Sequence, residues 1–500
     1  MGNSSENQSL EDIGKKANQQ SPSSFISSSS INLNNNTLVS LNNNDPENDY
    51  KKINQIGEGQ FGSVFEVKNR ITEMVRAMKT VKKHSGHDES EIINEAKILT
   101  SMDHPCIIKI FEFYSNEETY SIIMEYCKEG SLLKEIDKSG PFDESCTAYI
   151  MYQLFFAINY YNNMQIIHRD IKPENILIYN KNKETKYPNI KICDFGMSKI
   201  VEKNTFQKQV MGSLYYIAPE VLEKNYNEKC DLWSCGVIMY LLLTKKIPFD
   251  GAFNDEIIEK IKKGEYDKTP LEKYSSNCKD LLQKLLTIDV SKRIPVQECL
   301  NHPWIKEHNS KELYNKILDE GITLKFLNNL KKYKKSSILQ ETALAFLVHN
   351  FPQMKDVINA SKLFNQIDTN DDGKITQDEL YLGLKKRLKT DSLKDDVKNI
   401  FQSLDMNNDG FIEYEEFVRA AVSKEKFMGE NVLKFGFRFF DKDNSGKITL
   451  NEIETVFKNS IDDKENMDKA FNKIISEVDI DNDGKISYEE FAKVMKKLIQ

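Results

Sequence analysis

The chain has 500 residues, a formal net charge of −8 and 39% hydrophobic residues. That length allows about three domains with ordinary cores, and the acidic balance argues against a nucleic-acid binder, which shows a basic face. No apolar run approaches the ~20 residues of a membrane span, and the longest, Val237 to Leu243, reads as buried core.

All eight cysteines lie between Cys106 and Cys299, with no CxxC pair. They are expected to be reduced thiols of a cytoplasmic protein, not disulfides. The polar N-terminus is expected to carry no secretory signal. Of the first 44 residues, 24 are Asn, Ser or Gln. Such a segment buries too little surface to offset its ordering entropy, so residues 1–49 are expected to form a disordered extension.

From Tyr50 the pattern alternates as β-strands do, and helical periods follow from about Glu89 to Trp304. Ile56-Gly57-Glu58-Gly59-Gln60-Phe61-Gly62-Ser63-Val64 reads as strand, glycine turn, strand. Glycines let backbone amides approach phosphates, although this pattern alone fits a plain hairpin as well. Ala77-Met78-Lys79 lies on the next strand, and Glu95 on a helical run. His168-Arg169-Asp170-Ile171-Lys172-Pro173-Glu174-Asn175 follows, then Asp194-Phe195-Gly196 and Ala218-Pro219-Glu220.

In order and spacing this set resembles the protein-kinase signature over residues 50–305. The resemblance implies a two-lobed α+β fold binding ATP and Mg²⁺. The glycine-rich turn from Ile56 to Val64, with Ala77, Lys79, Glu95 and Met124, would line the ATP site. Lys79 would pair with Glu95. Asp170 would accept the proton of the substrate hydroxyl, Lys172 would stand beside the transferred phosphate, and Asn175 and Asp194 would hold Mg²⁺. Lys172 at its position resembles serine/threonine kinases, so the expected partners are proteins with Ser/Thr acceptors. Arg293 is expected to pair with Glu220. Two positions depart from common patterns. Ser131 stands where many kinases that prefer basic substrates carry a Glu, leaving Glu174 to attract a basic side chain. Gln209 stands where many carry an activating phosphothreonine, with Thr205 the nearest alternative. Activation without loop phosphorylation is therefore expected.

A Lys-rich junction over 306–355 comes next, with Leu313, Ile317, Leu324, Leu327 and Leu330 beside Lys325, Lys331, Lys332, Lys334 and Lys335. Gly321 is expected to end one helix and Thr323 to cap the next. Ser337 to Gln340 reads as a capping box. Apolar anchors beside lysines suit a segment that docks in an acidic groove.

Asp-rich loops then begin at Asp368, Asp405, Asp441 and Asp479, spaced 37, 36 and 38 residues apart. Each fits the twelve-residue EF-hand loop, with side-chain oxygens at positions 1, 3 and 5, glycine at 6, a carbonyl at 7 and a bidentate Glu at 12. The Ca²⁺ ligand sets are Asp368, Asn370, Asp372, Lys374 and Glu379; Asp405, Asn407, Asp409, Phe411 and Glu416; Asp441, Asp443, Ser445, Lys447 and Glu452; and Asp479, Asp481, Asp483, Lys485 and Glu490. Ser445 makes the third set the weakest. Ile375, Ile412, Ile448 and Ile486 at position 8 suit β-pairing within two hand pairs, over 356–425 and 430–500.

Kinase motifs followed by four such hands resemble the calcium-dependent protein kinases of plants and protists. The implied fold is a two-lobed kinase followed by an all-α, calmodulin-like domain. The implied switch is a junction that restrains the kinase at rest, with Lys331 to Lys335 near Glu174, and that the calcium-loaded hands seize. The intact Lys79, Asp170, Asn175 and Asp194 argue against a dead-kinase scaffold, and the basic junction against a plain calcium buffer. Met1-Gly2 invites N-myristoylation, but Glu6 stands where Ser or Thr is usual. A monomer with at most weak membrane association is expected.

Overall fold

The computed structural model describes residues 39–59, 62–83, 90–182, 185–201, 207–209, 211–308, 320–333, 336–370, 372–388, 393–405, 409–457, 474–475 and 477–499. A six-stranded sheet forms the N-terminal lobe in the order β1-β5-β6-β4-β3-β2. Its strands are β1 (Ser40–Asn42), β2 (Tyr50–Gly59), β3 (Gly62–Asn69), β4 (Val75–Lys82), β5 (Ile110–Ser115) and β6 (Thr119–Met124). β1 runs parallel to β5, and the other neighbours are antiparallel.

That first strand corrects the expectation of a disordered 1–49. Ser40 to Asn42 pair with Glu112 to Tyr114, Val39 is buried, and the Asn42 side chain donates to Glu112 at 3.2 Å. A few apolar residues at the end of a polar tract found a sheet edge with free hydrogen-bonding groups. Residues 1–38, which include Gly2, lie outside the described residues.

Helix α1 (Ser90–Thr100) flanks the sheet. The C-terminal lobe is built on α2 (Leu132–Ser139), α3 (Glu144–Asn163) and α4 (Cys230–Thr244). The last two are apolar almost all round, and nearly every side chain is buried, as such helices must be in a large domain. All eight cysteines are free, seven of them buried. The Glu220 carboxylate is gripped by both terminal nitrogens of the fully buried Arg293 guanidinium, Nη2 at 2.8 Å.

A second, separate apolar core holds the junction and the hands together. The junction contributes α5 (Glu320–Lys332) and α6 (Ile338–Asn350). α5 runs through Gly321 instead of ending there, which corrects the expected break. A glycine in a helix costs only about 1 kcal/mol, and burial of Phe326, Leu327 and Leu330 offsets it. Ser337 and Gln340 do form a capping box on α6. Leu313, Ile317, Lys334 and Lys335 lie outside the described residues. Position-8 isoleucines pair across each couple of hands, Ile375 with Ile412 and Ile448 with Ile486.

Candidate functional site

The first loop of the site is set by β2 and β3, where Gly59 faces Gly62 across the hairpin. Gly62 has φ +149°, and a Cβ there would stand 2.1 Å from the Thr80 carbonyl oxygen, so only glycine fits. Ile56, Gly57, Glu58, Ser63 and Val64 lie on these strands, while Gln60 and Phe61 lie outside the described residues. Ala77 and Met124 are adjacent partners on β4 and β6, both buried.

Lys79, on β4, reaches two carboxylates. Its Nζ is 2.5 Å from Glu95 Oε2 on α1 and 2.9 Å from Asp194 Oδ1. Burial alone would lower the Lys79 pKa; Glu95 and Asp194 outweigh it and raise it. Asp194 takes a left-handed backbone conformation, φ 66°. Beneath it Phe195 is buried edge-on to His168, 4.5 Å between ring centres. The Asn94 amide ties α1 to the same turn, donating to the Gly196 and Ser198 carbonyls at 3.0 and 2.9 Å.

Around Asp170 the side chains form one network. Lys172 Nζ is 2.7 Å from Oδ2, Ser213 Oγ is 3.0 Å from Oδ1, and Asn175 Nδ2 is 3.0 Å from Oδ2. Lys172 also donates to Ser213 at 3.0 Å. Asn175 spends its amide hydrogens inside the loop, which leaves Oδ1 as its acceptor for a cation. Buried Asp231 holds the loop from behind, accepting from the His168 and Arg169 backbone amides at 2.9 and 3.0 Å. Arg169 donates to the Met197 carbonyl at 2.6 Å and approaches the Tyr226 hydroxyl at 3.5 Å. Protein groups thus occupy the guanidinium. Thr205 lies outside the described residues.

The acidic loops share one geometry. In each, the glycine at position 6 has φ between 79° and 85° and its amide donates to the first aspartate: Gly373 to Asp368, Gly410 to Asp405, Gly446 to Asp441 and Gly484 to Asp479, at 2.8 to 3.1 Å. The position-12 carboxylates fold back on their loops; Glu379, for instance, accepts from the Thr369 and Thr376 amides at 3.0 Å. Oxygens of Asp441, Asp443 and Glu452 converge within 4.8 Å, as do those of Asp479, Asp481 and Asp483. Opposed carboxylate oxygens at that spacing suit a divalent cation. Asn370 and Asp372 line the first loop, whereas Asn407 of the second lies outside the described residues. Lys374, Phe411, Lys447 and Lys485 sit at position 7. In the third loop Ser445 Oγ donates to the Lys447 carbonyl at 3.0 Å, a bond that competes with use of that carbonyl as a ligand.

The family model described as the protein kinase domain matches residues 50–305, and that of the EF-hand domain pair matches 359–422 and 430–496. The chain is 34% identical to calcium-dependent protein kinase 4 of Plasmodium berghei (strain Anka) over 464 residues, covering 90% of this chain and 86% of that one. The same identity and coverage hold for calcium-dependent protein kinase 4 of Plasmodium falciparum (isolate 3D7). Calcium-dependent protein kinase 5 of P. falciparum is 34% identical over 462 residues, 91% of this chain and 80% of that protein. The chain belongs to the calcium-dependent protein kinases. It is a calcium-activated serine/threonine kinase, and its families imply ATP, Mg²⁺ and Ca²⁺.

In this calcium-dependent kinase the junction joins both hand pairs. Phe346 stacks on Phe439 at 4.1 Å, Asn329 Nδ2 donates to the Ala421 carbonyl at 2.6 Å, and Gln340 Nε2 to that of Val494 at 2.7 Å. Lys331 pairs with Asp396 at 2.5 Å and Lys325 with Asp356 at 3.1 Å. The tail also touches the kinase lobe. Arg76 on β4 lies 3.8 Å over the Phe111 ring and donates to the Asn350 carbonyl that ends α6. His349 Nε2 is 3.0 Å from the Ile110 carbonyl oxygen. Arg438, just before the third loop, pairs with Asp49 at 2.9 Å. Asp231 was expected from the sequence as part of the lower-lobe core; Asn94, Ser213 and this whole contact were not. Asn94 adjoins Glu95 and so had a local signal; Ser213 and the interface residues had none.

No helix among the described residues is long and apolar enough to cross a membrane.

Proposed function

We propose that Ca²⁺ loading of all four hands lets the tail enclose the junction in its apolar core and brace the kinase lobe that carries Lys79. The observation that carries this reading is the end of α6 on Arg76, three residues from Lys79 on the same strand. Ca²⁺ supplies the positive charge that the converging loop carboxylates need before the hands can open a groove for the junction. At rest the junction, Lys331 to Lys335 among it, lies toward the substrate face near Glu174. Release and bracing then act together.

In the kinase, Asp170 accepts the proton of the Ser or Thr hydroxyl as its oxygen attacks the γ-phosphorus of ATP. The bond to the bridging oxygen breaks and ADP leaves. Lys172, held between Asp170 and Ser213, neutralises charge on the phosphoryl group in flight. Lys79 holds the nucleotide phosphates, and Asn175 and Asp194 would hold Mg²⁺, which screens phosphate charge when bound. Exposed Glu174 favours substrates with a basic residue near the acceptor. The protein acts as a monomer in the cytoplasm; a myristoyl chain on Gly2 would by itself give only marginal membrane binding.

The test compares residues 1–305 with the full chain in saturating Ca²⁺ and in chelator. A folded fragment indifferent to Ca²⁺ but far less active than the loaded full chain is expected. A fragment as active as the loaded full chain would leave release as the whole mechanism and reject bracing.

A further inference from the structure

His349, at the end of α6, reaches from the tail to the back of the kinase. Its Nε2 sits 3.0 Å from the Ile110 carbonyl oxygen, which can only accept, so Nε2 carries the ring proton and Nδ1 presents a bare lone pair. The side chain is 2% exposed, and Nδ1 has no hydrogen-bond partner. What Nδ1 faces is another acceptor. Glu415 Oε1 stands 3.6 Å away, also buried and also without a hydrogen-bond partner. Asp103 completes the group, and one ligand atom from each of the three lies within 4.8 Å of the others. The kinase supplies Asp103, the junction His349 and the second hand Glu415. All three line a cavity of about 790 Å³ between kinase and tail.

Two opposed lone pairs in a buried setting repel and leave both groups desolvated at a cost. Neighbouring cations do not remove that conflict. Lys109 holds Asp103 Oδ2 at 2.8 Å, and Arg419, one turn beyond Glu415, pairs with Glu341 at 3.3 Å. Lys191 pairs with Glu125 at 2.7 Å. A cation between His349 and Glu415 would turn both lone pairs into ligands. An imidazole whose other nitrogen donates to a backbone carbonyl is oriented as metal-binding histidines are. One imidazole with two carboxylates suits a borderline metal; Ca²⁺ and Mg²⁺ prefer oxygen alone.

We propose that Asp103, His349 and Glu415 form a site for a divalent transition metal of the Zn²⁺ class, separate from the four acidic loops, that clamps the docked tail to the kinase. Ligand distances near 2 Å put neighbouring ligand atoms of a tetrahedral site ~3.3 Å apart, so the three groups close by about an ångström on binding. The site rests on the docked arrangement of the tail but not on calcium activation itself.

The experiment uses the full chain in saturating Ca²⁺, without nucleotide. Calorimetric titration with Zn²⁺ should show one site per chain, and Zn²⁺ should raise the melting temperature. His349→Gln and Asp103→Asn should each abolish that site while Ca²⁺ titration and circular dichroism stay as in the parent. Zn²⁺ uptake that survives either variant, or no uptake by the parent, would overturn the proposal. A reading that needs no variant comes from Co²⁺: one equivalent should give the visible bands of nitrogen-and-oxygen coordination, and an aquo-ion spectrum would also overturn it. A parent chain that takes up no Zn²⁺ yet is activated by Ca²⁺ would reject this site and leave the calcium switch standing.

Discussion

Asp170 is oriented by three donors before any substrate arrives: Lys172, Ser213 and Asn175. Asp170→Asn keeps the shape and loses the proton acceptor. Activity should fall by about 10²–10⁴-fold, the usual weight of general base catalysis, with unchanged melting and Ca²⁺ binding. Near-parental turnover in a folded variant would remove Asp170 from that role. Ser213→Ala should also slow turnover while leaving the ATP KM in place, because Ser213 touches Asp170 and Lys172 but not the Lys79 cluster. Arg169 already has the Met197 carbonyl as partner, so phosphatase treatment of the purified kinase should leave its calcium-stimulated rate unchanged. A loss of rate would mean that a loop phosphate matters after all. These groups were legible in the sequence because phosphoryl transfer fixes short, local spacings. Ser213 was not singled out, since one hydroxyl near a motif carries no pattern of its own.

The hands and the junction are joined through Glu341 on α6. Its carboxylate accepts from the Tyr333 hydroxyl at 2.7 Å and the Ser336 amide at 3.2 Å, and it faces Arg419. Burial would raise its pKa, but Arg419 and these donors outweigh burial and hold it below the usual 4.5. A carboxyl with a lowered folded pKa contributes stability that is present above about pH 4.5 and is lost as the pH falls through the folded value. Glu341→Gln should therefore destabilise the calcium-loaded chain by about 1.5–3 kcal/mol at pH 7. The gap to the parent should close below pH 4.5, as read by denaturant unfolding at each pH. A gap independent of pH would assign the effect to packing instead of charge. The four loops were readable because ligand geometry dictates a twelve-residue grammar, and the capping box of α6 because its two side chains sit three apart. The course of α5 through Gly321 was not readable: the penalty of one glycine is local, whereas the burial that offsets it comes from residues far along the chain.

At the scale of the molecule the tail and the kinase meet through Arg76, Asn350, His349, Arg438 and Asp49. No spacing rule links residues hundreds of positions apart, which is why the two domains could be read separately and their contact could not. Chelating Ca²⁺ should lower activity at least about tenfold, equivalent to ~1.4 kcal/mol of bias between two states. Arg76→Ala should produce a similar drop in saturating Ca²⁺, read as the specific activity of the full chain. Equal rates in Ca²⁺ for parent and variant would mean that this contact does not brace the lobe. The third hand carries this union furthest. Lys442, second residue of its loop, is half-buried and lines one pocket with Glu112 and Asp49. Glu112 is itself fixed by the Tyr50 and Tyr114 hydroxyls, each at 2.6 Å, inside the sheet that covers the nucleotide. A calcium loop that shares a pocket with a catalytic lobe does not have an affinity of its own. By thermodynamic reciprocity, whatever a filled loop does to favour the nucleotide-binding form, nucleotide does in equal measure to favour the filled loop. The concentration of Ca²⁺ at which this kinase wakes is then set jointly by the ion and by the adenine nucleotide around it, and a threshold measured without ATP describes a different molecule from the one at work.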